Sequence, residues 1–229
     1  MDGKTVMSMK IKVSSAIKIA FAAILTATIL SLFYYAPGIP LFLKPLVPLK
    51  YRWTNDEIVE QIKGKTVDKD FLAHFERDPE RTVPRESRII VAPADGRVKV
   101  VRDTSDGKRI VIYMSVWDVH IQRVPLAGKV VDVVSSGHKD QEDFKCGDCP
   151  QNITRIDTEA GRITVKQVTS DLATKVQTYL TKNQNVEIGE RLGYIFLGSH
   201  TVIDLPKTVA LTVKVGDRAV AGETIIAKY

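Results

Sequence analysis

The stretch KRIVIYMSVWDVHIQRVPLAGKVVDVV, residues 108–134, decides the fold. It opens on a run of β-branched and aromatic residues, breaks near Ser115, and resumes as a valine run after Gly128. Such residues suit a pleated, buried surface, and Gly, Asp and Pro at short intervals mark the turns between strands. The same texture recurs in RIIVAPADGRVKVVRD (88–103), GRITVKQV (161–168), ERLGYIFLGSHTVIDLP (190–206) and TVALTVKVGDRAVAGETIIAKY (208–229). Residues 87–229 therefore read as one α+β, mostly β domain, a compact sandwich or barrel-like unit. One helix is expected to interrupt it over 168–180, because Val168, Leu172, Val176 and Leu180 fall on one helical stripe. An echo is also visible: Val186-Glu-Ile-Gly-Glu-Arg resembles Val213-Lys-Val-Gly-Asp-Arg.

Outward from this domain the texture changes. Residues 19–43, IAFAAILTATILSLFYYAPGIPLFL, contain no charge. A membrane span needs roughly 20 apolar residues, and Pro37, Gly38 and Pro40 end the helical part. Residues 1–50 are expected to be a basic N-terminus and an uncleaved hydrophobic membrane helix, with a signal peptide as the alternative. Lysines flank the run on both sides, so charge does not choose its orientation. Residues 51–86 read as a helical, charged, membrane-proximal linker. Within it, 53–63 is a short helix with Thr54 as N-cap and Asp56 and Glu57 in its first turn. The segment Arg77-Asp78-Pro79-Glu80-Arg81 reads as a solvated linker or a contact with lipid headgroups. The net charge of +6 is spread along the 229 residues. It suits an anionic membrane surface and gives no nucleic-acid footprint.

Candidate chemistry concentrates at three places. Asp95, before Gly96, is a turn residue or a carboxylate held at a strand end. In Asp118-Val-His-Ile-Gln-Arg123, strand alternation is expected to put Asp118, His120 and Gln122 on one face, so that His120 is either a satisfied structural group or an acid–base residue. In Gly198-Ser199-His200, the Ser199 hydroxyl is placed to attack the Gly198 carbonyl in an N-to-O acyl shift. Elimination from that ester and hydrolysis leave a ketone on the new N-terminus. The same tripeptide also makes an ordinary turn.

These pieces together resemble the phosphatidylserine decarboxylase family, in its short bacterial and archaeal branch. The resemblance is carried by FERDPERTVP, APADGRV, MSVWDVHIQRVPLAGKV and GERLGYIFLGSHTVIDLP, in that order. It implies a proenzyme that cuts itself between Gly198 and Ser199. The large and small chains, 1–198 and 199–229, stay associated, and Ser199 becomes a covalent pyruvoyl group. That group forms a Schiff base with the amine of a serine phospholipid, phosphatidylserine or archaetidylserine, and the product is the ethanolamine lipid. The resemblance assigns self-cleavage to Asp95 and decarboxylation to His120, with Asp118, Arg123 and His200 as supporting residues and no metal. Long-form relatives carry a second histidine where this chain has Arg123, which cannot act as a base. His120 is then the candidate for both steps. His200 is expected to point away from the site. The expected location is the cell membrane, with the catalytic domain at the cytoplasmic headgroup surface, as a monomer or a homo-oligomer.

Two other classes were open to the sequence. A membrane-tethered carrier or adaptor would use the valine-glycine turns but lacks a lysine at a hairpin tip. A metal or redox module would centre on Cys146-Gly-Asp-Cys149, which otherwise is a turn carrying two thiols.

Overall fold

The computed structural model describes residues 17–26, 28, 43–64, 66–138, 149–169, 175–196 and 199–229. The side chains of Asn55, Ser136–His138, Cys149, Lys175 and Ser199 are outside that description. The chain divides into two compact units, Met1–Val67 and Asp68–Tyr229.

The first unit is helical. Residues 17–26 are helix, with Ile17, Ile19, Phe21 and Ile24 exposed. Most of the uncharged run lies outside the described residues, and among those described no helix is long and apolar enough to cross a membrane. A 3-10 turn at Lys44–Leu46 leads to α1 (Leu49–Arg52) and α2 (Asn55–Lys63). The α2 start follows the sequence signal. Thr54 accepts from the Glu57 N–H, and Glu57 accepts from the Thr54 N–H, a reciprocal capping box.

The second unit begins with α3 (Lys69–Phe75), capped by the Asp68 side chain. The rest is β. A central sheet runs β13 (Arg218–Ala219), β2 (Gly96–Asp103), β3 (Lys108–Met114), β11 (Ser199–Leu205), β7 (Gly161–Val168), β6 (Cys149–Thr158), β5 (Gly128–His138) and β9 (Asn185–Val186). Two three-stranded sheets accompany it. One is β1 (Ile89–Val91), β14 (Ile225–Lys228) and β12 (Ala210–Leu211). The other is β4 (Ile121–Arg123), β10 (Arg191–Phe196) and β8 (Lys175–Thr178). Every pairing is antiparallel.

The continuous apolar runs follow from this layout. Ile110, Ile112, Met114 and Ile203 enter the main core, while Val111, Val168 and Val202 form a second cluster. The middle strands are thus covered on both faces, and an alternating polar pattern is not needed.

Two expectations are corrected. The described residues of 168–180 are not helical: β7 ends at Val168 and β8 occupies Lys175–Thr178, paired with β10, while 170–174 lie outside the described residues. The stripe of apolar residues was real, but Val176 and its neighbours find a strand partner, and the β-branched residues around them favour that state. Residues 117–123 are not one alternating strand either. Ser115 to Asp118 form a turn and only Ile121–Arg123 is strand, with all of Asp118 to Arg123 buried.

The valine-glycine echo is one turn used twice. Glu190 accepts from the Glu187 N–H at 2.9 Å, and Asp217 accepts from the Lys214 N–H at 2.9 Å. Between each pair lies a left-handed glycine, Gly189 (φ 81) or Gly216 (φ 96), a conformation that disfavours any Cβ. Each turn ends by presenting an arginine, Arg191 or Arg218, to an aspartate.

Candidate active site

Strand register collects the sequence candidates at one end of the central sheet. Ser199 opens β11 opposite Met114, the last residue of β3. On the other side of β3, Arg97 pairs with Tyr113, so Asp95 stands just before β2 at the same end. With neighbouring strands about 4.8 Å apart, the Asp95 and Ser199 backbones lie about 10 Å from each other. His120 arrives from a third element. Its carbonyl accepts from the Ile195 N–H at 3.3 Å, one residue before the end of β10; Leu197 and Gly198 lie outside the described residues.

Asp95 is held by two donors on one oxygen. Its Oδ1 accepts from Arg81 Nη2 at 2.9 Å and from the Ala221 N–H at 2.8 Å. The carboxylate is buried, and both donors come from segments distant in sequence.

His120 is fully buried, with its ring stacked on Phe75 at 3.9 Å between centroids. Nδ1 lies 2.9 Å from the Asp118 carbonyl oxygen. A carbonyl only accepts, so Nδ1 carries the proton and Nε2 keeps its lone pair. Nε2 has no partner among the described residues. Burial pushes the imidazole down to about 4, and the nearby Asp118 only partly opposes this. At neutral pH the ring is therefore uncharged, with one nitrogen ready to accept a proton.

Asp118 braces that arrangement. Its Oδ2 accepts from the Ser115 N–H at 2.7 Å and the Ser115 hydroxyl at 2.8 Å, and its Oδ1 meets Arg218 Nη2 at 2.6 Å. Arg123 faces elsewhere. Its Nη2 donates to Asp78 and to the Pro79 carbonyl, so it clamps a loop. His200 packs on Tyr113, ring centroids 5.4 Å apart, and burial lowers its pKa. Thr201, its neighbour, instead donates to the Met114 sulfur.

The Arg77–Arg81 segment, expected as a solvated linker or a contact with lipid headgroups, has three of its charged side chains, Arg77, Asp78 and Arg81, engaged within the unit. Arg77 donates to the Trp117 carbonyl at 2.7 Å, Asp78 bridges Arg123 and Arg191, and Arg81 pairs with Asp95. It is a buckle across the three segments that carry Asp95, His120 and the approach to Ser199. Phe75 and Arg218 stand in stretches quoted above, but sequence reasoning assigned neither a role, because their roles depend on partners far along the chain. Among the described residues no cluster could hold a metal ion, and the thiols of Cys146 and Cys149 lie outside the description.

The phosphatidylserine decarboxylase family profile matches residues 69–227. The chain belongs to the phosphatidylserine decarboxylase family. A phosphatidylserine decarboxylase proenzyme of Symbiobacterium thermophilum is 37% identical over 169 residues, covering 69% of this chain and 79% of the relative. A protein of Methanothermobacter thermautotrophicus named as an archaetidylserine decarboxylase proenzyme is 31% identical over 180 residues, covering 69% and 81%. The family match starts at the α3 boundary and takes in the whole buckle, Asp95, His120 and Ser199. Membership in this decarboxylase family thus coincides with the second compact unit.

Proposed function

We propose that this chain is a proenzyme that cuts itself between Gly198 and Ser199 and then removes carbon dioxide from the serine head of a membrane phospholipid. The observation that carries this reading is the buried His120, whose Nε2 has no partner among the described residues and whose carbonyl is bonded to the Ile195 N–H on β10, four residues before Ser199.

In the uncut chain the Ser199 hydroxyl attacks the Gly198 carbonyl carbon. His120 Nε2 takes the hydroxyl proton, and the Ser199 nitrogen is protonated as the C–N bond opens to an ester. Loss of the Ser199 α-proton expels the Gly198 carboxylate. Water then releases ammonia and leaves the pyruvoyl ketone. The residues present fit the formation of this group: an imidazole nitrogen able to accept a proton, and an Asp95 carboxylate fixed by Arg81 and the Ala221 N–H. A pyruvoyl group supplies the sink for the electrons that carbon dioxide leaves behind. His120 Nε2 is the atom that carries a proton back to the product carbon, and Phe75, stacked on the ring, keeps water from it.

The small chain, 199–229, would remain in place because β11 lies between β3 and β7 at the centre of the sheet. Both ester and ether lipids with a phosphoserine head present the same reacting group, and the two relatives above are named for phosphatidylserine and for archaetidylserine. The positive net charge favours an anionic lipid surface, and the uncharged run at 19–43 would anchor the chain there.

Intact mass of the purified protein tests the reading. Wild type should give two chains, the small one beginning at residue 199 with a ketone-reactive, Edman-blocked terminus. Ser199→Ala should give one chain without decarboxylase activity. An active, uncut Ser199→Ala variant would end the proposal.

A further inference from the structure

We propose that Arg218 is a positioning residue of the reaction site, which holds Asp118 and, through it, the ring of His120. This rests on the role given to His120 above. Arg218 lies beyond the segments that carried the family resemblance, and among the described residues its ion pair is with Asp118.

The Asp118 side chain is only 6% exposed, while that of Arg218 is 52% exposed. A buried carboxylate needs charge compensation as well as hydrogen bonds. Ser115 supplies two neutral donors, and the cation that meets the carboxylate is Arg218. With both oxygens pinned, the Ser115–Asp118 turn holds the Asp118 carbonyl where it receives the His120 Nδ1 proton. That contact selects the tautomer with Nε2 free.

Arg218 is itself placed from behind. The Gly216 turn aims it, and β13 pairs with β2 so that Arg218 faces Arg97 across the ladder. Three residues further on, the Ala221 N–H donates to Asp95. One short segment therefore serves both carboxylates of the site. It lies after Ser199, so in the cut protein the small chain would supply it to the large chain.

The arrangement also sets charge. The groups acting on the His120 ring are Asp118, which favours the imidazolium, and Arg77, which opposes it. His74 sits one ring away, against Trp117, and Phe75 covers the ring face. Arg218 neutralises Asp118. Without it Arg77 is the remaining cation that opposes the carboxylate, so the neutral ring is lost at a higher pH.

The test uses purified wild type, Arg218→Ala, Arg218→Gln and Arg218→Lys. Self-cleavage is followed by intact mass, and kcat/KM is followed against pH with serine phospholipid in detergent micelles. Arg218→Gln keeps a donor for Asp118 without the charge, and Arg218→Lys keeps the charge. Arg218→Ala and Arg218→Gln should move the acid limb upward by about one pH unit. Both should slow self-cleavage by about tenfold, part of what a general base contributes. Arg218→Lys should follow wild type, and KM should stay constant throughout. Superposed profiles with equal cleavage rates in wild type and Arg218→Gln would overturn the proposal, even if Arg218→Ala failed to fold. So would a Lys variant as impaired as Gln. Full cleavage and turnover in His120→Ala would instead remove the role of His120, an outcome distinct from either.

Discussion

Arg81 and Asp95 form a buried ion pair, Nη2 to Oδ1 at 2.9 Å, with 7% and 8% of their side chains exposed. Removing one partner of such a pair leaves the other charge buried and uncompensated, at a cost of about 3–5 kcal/mol. Arg81→Ala should therefore destabilise the β unit by about 3 kcal/mol or more, measured by urea unfolding in the uncut Ser199→Ala background. The exposed Lys63–Glu60 pair, 59% and 72% exposed, is the contrast. Lys63→Ala should stay within about 0.5 kcal/mol. Equal effects of the two substitutions would mean that Asp95 is not held as described.

His120 should make the fold sensitive to acid. Its folded pKa is near 4 against an ordinary 6.5, so between those values the unfolded chain binds the proton and the folded chain does not. Stability contributed by the neutral ring is present above about pH 6.5 and is lost as pH falls towards 4, by about 3 kcal/mol in all. Burial also lowers His74 and His200, so the total acid loss has several sources. The comparison of Tm against pH for wild type and His120→Asn isolates the one in question. The wild-type curve should fall more steeply below pH 6.5, and parallel curves would contradict a buried neutral imidazole.

The uneven legibility of the sequence has a physical pattern. The start of α2 was readable because the Thr54–Glu57 capping box is complete within four residues. The β character of 87–229 was readable from composition and turn chemistry. The helix expected over 168–180 failed because a short apolar stripe serves a helix or a strand equally, and the β10 edge decided in favour of the strand. Asp95, His120 and Ser199 stood out by chemical type. Their arrangement did not, because it depends on register across β2, β3 and β11. The charges at Arg77, Asp78 and Arg81 looked solvated for the same reason: their partners, from Asp95 to Arg191, are distant in the chain.

The capping box gives a prediction confined to the first unit. Thr54→Ala removes the acceptor for the Glu57 N–H, at 3.2 Å, and should cost α2 about 1 kcal/mol. Amide exchange should quicken across 55–63 while self-cleavage proceeds at the wild-type rate. Unchanged exchange would show that the cap does not limit helix opening.

Asp204 bears on whether the two chains stay together. It lies on β11, and its carboxylate receives Arg109 through Oδ1 at 2.5 Å and Oδ2 at 2.9 Å, and Lys166 at 3.0 Å. Those cations sit on β3 and β7, the strands on either side, so each ladder is reinforced by a charge contact across the proposed large–small boundary. The Asp204 side chain is 28% exposed, which screens the pairs in part, and Asp204→Ala should cost about 2 kcal/mol in the uncut background. The backbone ladders from Ser199 to Leu205 are untouched by that change. The cut wild-type and Asp204→Ala proteins should therefore both elute from gel filtration as the associated pair of chains, with the variant separating at a lower urea concentration. Release of the small chain from wild type without denaturant would show that β11 does not keep its central place after cleavage.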